Sequence, residues 1–387
     1  MSSRKPLFSR QQLNWIIIIL TIVIALLSLS SPSVSWPTLQ RQTLAEVPLL
    51  SPAEPAEHPD LLRLVLLLPP YLDADAPLAA SLEQLLATQL SAQPLPGLIQ
   101  RHRLPDRLRL TLRLQPDNAI DALLDALARR PDPATLAEAQ RRLTAARRLA
   151  DHQPLPGAWP DHPANEDSLE QLYGNWISRA QLRLIAARPL TEQERNHWQQ
   201  GLQRLAIGTP WPSTPPRLPA STQRSAPQTE HLLQVQRDLP GRHAPDYDPT
   251  LLAVQWLQQH AARAGVTLDW QPRRERSRLT LSYRGDTAIE PDRLLQQLAQ
   301  VARSNDSDVA AMTDKLQQRL HASLSQPLGY LDLLETIATY ELPLDALPRF
   351  AATIERFDDA SLQRQLGELL NPAAYQTYRL SPLSQEP

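Results

Sequence analysis

Two apolar periodicities alternate along this chain. Leu78, Leu82, Leu85, Leu86 and Leu90 recur three and four residues apart behind Pro77, which predicts an amphipathic helix over 77–90 with proline in its first turn. The run from Leu61 to Leu68 just before it is apolar almost throughout and predicts a strand. Alternating positions predict a strand pair near 98–103 and 107–114, and the helical period returns at 118–128 and 133–149. Beyond a Pro-rich connector come a predicted helix at 168–177, a strand at 181–186 and a helix at 191–205.

The same order then repeats. A strand at 233–239 ends at Pro240 as the first ends at Pro69, and Pro249 opens a helix through Leu251, Val254 and Leu257 as Pro77 does. Arg278-Leu279-Thr280-Leu281 matches Arg109-Leu110-Thr111-Leu112, and predicted helices at 291–302 and 308–320 follow. Corresponding positions stay about 170 residues apart over five elements, which marks a duplicated α+β unit. Helices at 329–340, 344–357 and 359–369 and a strand at 375–380 close the chain.

Upstream, Trp15 to Leu29 is almost wholly apolar, and Arg4, Lys5 and Arg10 precede it. Trp15 and Trp36 are 21 positions apart, roughly the 30 Å of a bilayer's hydrocarbon core when helical. The expectation is a single-pass anchor over 13–36 in the inner (cytoplasmic) membrane. Residues 1–12 would then be cytoplasmic and the bulk of the chain periplasmic in a bacterial source. The alternative is a cleaved signal peptide, although no A-x-A site follows the apolar run. Residues 37–59 and 208–228, rich in Pro, Ser and Ala or Thr, are expected as linkers. They leave a first half over 60–207, a second over 229–382 and a tail over 383–387.

Composition narrows the chemistry. A net charge of −2 gives no footprint for nucleic acid, and 38 prolines against 10 glycines leave no phosphate-cradling loop. Without cysteine there are no disulfides, thiolate metal sites or cysteine nucleophiles. The nine histidines, His58, His102, His152, His162, His197, His231, His243, His260 and His321, include no two that are three to five residues apart, the spacing a helix-borne zinc pair needs.

Three stretches carry a resemblance: 176–194 (Trp176-Ile177-Ser178-Arg179 through Leu190-Thr191-Glu192-Gln193-Glu194), Pro245-Asp246-Tyr247-Asp248-Pro249, and the closing helices with Leu370-Asn371-Pro372. In order and spacing, residues 60–382 resemble the insulinase or pitrilysin type of zinc metallopeptidase. The resemblance implies two homologous α+β halves, with antiparallel-rich sheets and helices on one face, facing each other around an extended peptide. Active relatives carry H-x-x-E-H, two imidazoles holding zinc and a glutamate activating its water. By its place after the first strand, the motif falls on Ala80-Ser81-Leu82-Glu83-Gln84, where only Glu83 survives.

A third ligand would come from 133–149, which offers only Glu138, with Ala145 and Ala146 where the acid is expected. Glu83 is then a solvated helix glutamate, and no catalytic, cofactor-binding or metal-binding residue is assigned. The Arg and Tyr by which active relatives grip substrate are also out of pattern: Arg263 is out of register and Leu268 takes the tyrosine's place, while Tyr283 and Arg284 read as hairpin residues. The resemblance implies a non-catalytic homologue that works with an active zinc peptidase of the same family. An independent envelope scaffold or binder of extended peptides is the alternative, and an active enzyme with substituted ligands comes third.

Overall fold

The computed structural model describes residues 35–55, 60–69, 76–114, 119–151, 169–212, 221–226, 229–303 and 309–382. The apolar run 15–29 expected as an anchor lies outside them. Among the described residues no helix is long and apolar enough to cross a membrane.

The first half is built on a six-stranded sheet of order β1-β2-β6-β3-β5-β4: β1 (Leu39–Leu44), β2 (Val47–Pro52), β3 (Leu61–Leu67), β4 (Leu98–Leu104), β5 (Arg107–Arg113) and β6 (Leu182–Ala186). Its helices are α1 (Ala76–Ser91), α2 (Ala119–Ala128), α3 (Pro133–Asp151), α4 (Leu169–Trp176) and α5 (Glu192–Leu202). The second half has a five-stranded sheet, β7-β11-β8-β10-β9, made of β7 (Thr222–Ala226), β8 (His231–Pro240), β9 (Val266–Gln271), β10 (Arg276–Gly285) and β11 (Gln376–Pro382). With it go α6 (Tyr247–Ala261), α7 (Pro291–Arg303), α8 (Val309–Ser325), α9 (Pro327–Tyr340), α10 (Ala346–Arg356) and α11 (Asp359–Leu369).

The order β2-β6-β3-β5-β4 is reproduced strand for strand as β7-β11-β8-β10-β9. In both sheets the first of these strands runs parallel to the second and every other pair is antiparallel. The internal repeat is therefore one of topology as well as of sequence.

Within the stretch expected as a linker, residues 39–52 are not one: β1 and β2 form a hairpin at the edge of the first sheet, with Leu44 paired to Val47. Its two-residue turn, Ala45-Glu46, has φ of 46° and 70°, the left-handed pair that a tight hairpin demands. Alanine and glutamate carry no turn signal, which hid the hairpin. The stretch 208–228 is likewise only partly a connector. Trp211 donates to the Leu67 carbonyl at 3.0 Å, and β7 pairs with β11.

One core lies between the first sheet and its helices. Leu62, Leu64 and Leu66 of β3 and Leu108, Leu110 and Leu112 of β5 meet Leu78, Leu82, Leu85 and Leu86 of α1. Strand alternation then sends Arg63, Arg107, Arg109 and Thr111 to the opposite face, where Arg63 is paired with Thr111 in the ladder. That face is also covered. Helix α9, from the second half, packs on β6, β3 and β2, so the first half's own helices cover one face of its sheet and the second half supplies the cover for the other. From Pro37 onward the chain forms one compact unit.

Candidate functional site

Helix α1 follows the first strand, as the spacing of its leucines requires, and buries Leu78, Leu82, Leu85, Leu86 and Leu90. The three positions of the degenerate motif fall away from that core, with Ala80 and Gln84 exposed and Glu83 half-buried. Glu83 is more than a solvated glutamate. Its carboxylate pairs with Arg103 of the neighbouring edge strand β4 at 3.2 Å.

Helix α3 packs on α1, and a cleft of about 280 Å³ between them is lined by Gln84, Thr88, Glu138 and Arg142. The acid opposite the motif is therefore Glu138, about two turns earlier than the alanines at 145 and 146 suggested. Its carboxylate is held by Arg141 at 2.7 Å and Arg142 at 2.8 Å, and these arginines hold its pKa below the ordinary range.

This donor set does not fit the zinc that the resemblance implies. Alanine supplies no ligating atom, Gln84 only a neutral amide, and both carboxylates already face guanidinium groups. Among the described residues no three His, Cys, Asp or Glu side chains converge as a metal site. His197 lies 3.0 Å from Asp121, His243 meets the Tyr340 carbonyl at 2.5 Å, and His260 is buried against Trp256, 2.7 Å from its carbonyl. His58, His152 and His162 lie outside the described residues. In the second half Leu268 is a core residue of β9, Arg263 is exposed in the turn before it, and Arg284 lies 3.7 Å from Glu230.

The most elaborate polar cluster is one the sequence did not point to. The Arg63 side chain is 1 % exposed and donates to Asp332 at 2.6 Å, Glu335 at 2.7 Å and the Thr111 hydroxyl at 3.3 Å. Arg109 also reaches Asp332, at 2.6 Å, and Arg107 bonds Glu335 and Asp106. Asp332 and Glu335 stand three apart on α9, which puts both on the helix face that meets the strands.

At the end of α9 the Tyr340 hydroxyl donates to Asp106 at 2.5 Å, and Arg107 and Arg242 stack over its ring at 5.6 and 4.3 Å. Burial, helped by Asp106, pushes the Tyr340 phenol up to about 12. Burial pulls the pKa of Arg107 down, but Asp106, Tyr340 and Glu335 together outweigh it and the net shift is upward. The signal was present as Arg63 within an apolar run and as arginines at 107 and 109, two residues apart on one strand face.

Packing and charge divide the work here. Burying Leu331, Leu334 and Ile337 of α9 is worth roughly 2 kcal/mol for each side chain. A desolvated guanidinium costs several kcal/mol unless it is paired. The apolar side chains thus contribute most of the favourable energy of burying α9, and the buried charges are tolerated because they are paired.

Neither protein-family models nor curated proteins give a match to this sequence. Solved structures do. An inactive domain of peptidase M16 from Pseudomonas fluorescens superposes with a TM-score of 0.62 at 15 % identity, covering 90 % of this chain and 99 % of that one. A protease from Helicobacter pylori gives 0.65 at 11 % identity, over 90 % and 100 %. A predicted insulinase family protease from Yersinia pestis gives 0.52 at 15 %, over 91 % and 94 %. The chain has the fold of these M16-type peptidases and contains no H-x-x-E-H.

Proposed function

We propose that this protein is a non-catalytic, membrane-anchored and exported chain of M16 peptidase architecture that pairs with an active zinc peptidase of the same fold. The observation that carries this reading is the state of α1: the two imidazole positions are Ala80 and Gln84, and the surviving Glu83 is paired with Arg103 at 3.2 Å. A carboxylate in an ion pair has no metal-bound water to activate. What such a chain offers is surface, and the likeness to an inactive M16 domain supports a role without catalysis. The anchor rests on the apolar run behind Arg4, Lys5 and Arg10.

The test is co-purification of the full chain from its source membranes in mild detergent. An active zinc peptidase of the same fold should accompany it, and Glu83→Ala should leave the complex and its activity unchanged. Recovery of the chain alone, with extended peptides bound, would support the scaffold reading instead. Loss of activity with Glu83→Ala would overturn the assignment of the site.

A further inference from the structure

We propose that Asp332 and Glu335 lock the two halves in one fixed orientation, so that this chain meets any partner as a single rigid body and does not open and close between its sheets. Two carboxylates on one helix of the second half serve three guanidiniums on two strands of the first. Sliding α9 by one turn, about 5.4 Å, would carry one carboxylate towards the other's place and the second out of reach, leaving three guanidiniums, one of them the buried Arg63, to share a single partner. The two ends of the contact therefore cannot drift by small steps.

The end of α9 adds a second fastening. Glu341 takes a left-handed φ of 53° and bridges Arg183 of β6 at 3.1 Å to Arg274 of the second half at 2.8 Å. Arg41 of β1 donates to the Leu342 carbonyl at 2.9 Å. The sequence repeat makes the device one-sided. Arg276 and Arg278, the counterparts of Arg107 and Arg109, meet Asp238 of their own sheet at 3.2 and 3.6 Å.

The absence of cysteine allows a direct test on the full chain in detergent. Thr88→Cys and Glu355→Cys place spin labels on exposed positions of α1 and α10. The unsubstituted network should give one narrow distance distribution. Asp332→Asn with Glu335→Gln should broaden it about twofold and raise hydrogen exchange in α9 about tenfold relative to α1. Arg63→Met with Glu335→Leu removes the buried pair without stranding either charge. That variant should unfold cooperatively and still show the broader distribution, and it decides the matter if the first variant fails to fold. A broad distribution with the network intact would show that the halves are not locked, and a narrow one in Arg63→Met with Glu335→Leu would show that the buried pair does not set the orientation; either result would overturn the proposal.

Discussion

Arg63 and Glu335 are separated by 272 positions of chain, yet their side chains meet at 2.7 Å with each only 1 % exposed. Removing one member of such a pair leaves the other charged and dry. Glu335→Ala should therefore destabilise the protein by about 3–5 kcal/mol, read as a lower urea midpoint. Arg63→Met combined with Glu335→Leu should lose much less than the sum of the single changes, because no charge is stranded. Additive losses would show that the two residues are not coupled.

Gly241, between β8 and α6, has the backbone of Arg274 and Glu275 against it. A Cβ there would lie 2.2 Å from the Glu275 carbonyl carbon and 2.4 Å from the Arg274 carbonyl oxygen. Backbone cannot swing aside as a flexible side chain can. Gly241→Ala should cost about 1–3 kcal/mol, whereas Gly174→Ala, with nothing near its Cβ, should fall within about 0.5 kcal/mol of the original or improve it. Thermal melts of the two variants give the comparison.

The start of α5 is sensitive to acid. Thr191 and Glu194 form a reciprocal capping box, and Arg188 holds Glu194 at 2.7 Å. The Arg188 hydrogen bond keeps the Glu194 carboxyl below its ordinary 4.5. The unfolded chain therefore takes up this proton at a higher pH than the folded one. The contribution is complete above about pH 4.5 and is lost as pH falls through the folded value. Glu194→Gln should lower Tm near neutrality, and the difference should shrink as pH falls below about 4.5 and through the lower folded value. A difference that stays constant across the acid range would count against the pair.

At the degenerate motif the expected changes are small. Glu83 and Arg103 are each about one-third exposed, so Glu83→Gln should move stability by no more than about 1 kcal/mol. Metal analysis of the purified chain should find no stoichiometric zinc, and a mixed peptide assay should find no cleavage. One tightly held zinc per chain, lost in Glu83→Gln, would reverse this reading of α1.

The orientation expected of the anchor can be checked in cells. A reporter fused after Pro387 should be active only outside the cytoplasm, with the chain retained in salt-washed membranes. A mature protein that begins near Ser35 and fractionates as soluble would mean that the apolar run is a cleaved signal.

Much of the fold was legible because burial imposes period. Leucine spacing predicted α1, and alternation predicted β4 and β5, each to within a residue or so of its ends. The β1–β2 hairpin was not legible, since its turn takes left-handed φ at Ala45 and Glu46 without the residues that favour it. The Arg63 cluster was hidden for another reason. A charged residue in a strand reads as solvent-facing, and its partners Asp332 and Glu335 lie on a helix whose own periodicity says nothing of which sheet it will cover.

In each repeated five-strand unit the last strand lies parallel beside the first: β6 beside β2, and β11 beside β7. Parallel neighbours put entry and exit at opposite ends of the sheet, so a second copy can follow the first without rethreading either sheet. Tandem gene duplication could therefore produce this protein in one step. Later divergence would then need to place only a few charges, those of α9 among them, to make the two copies unequal.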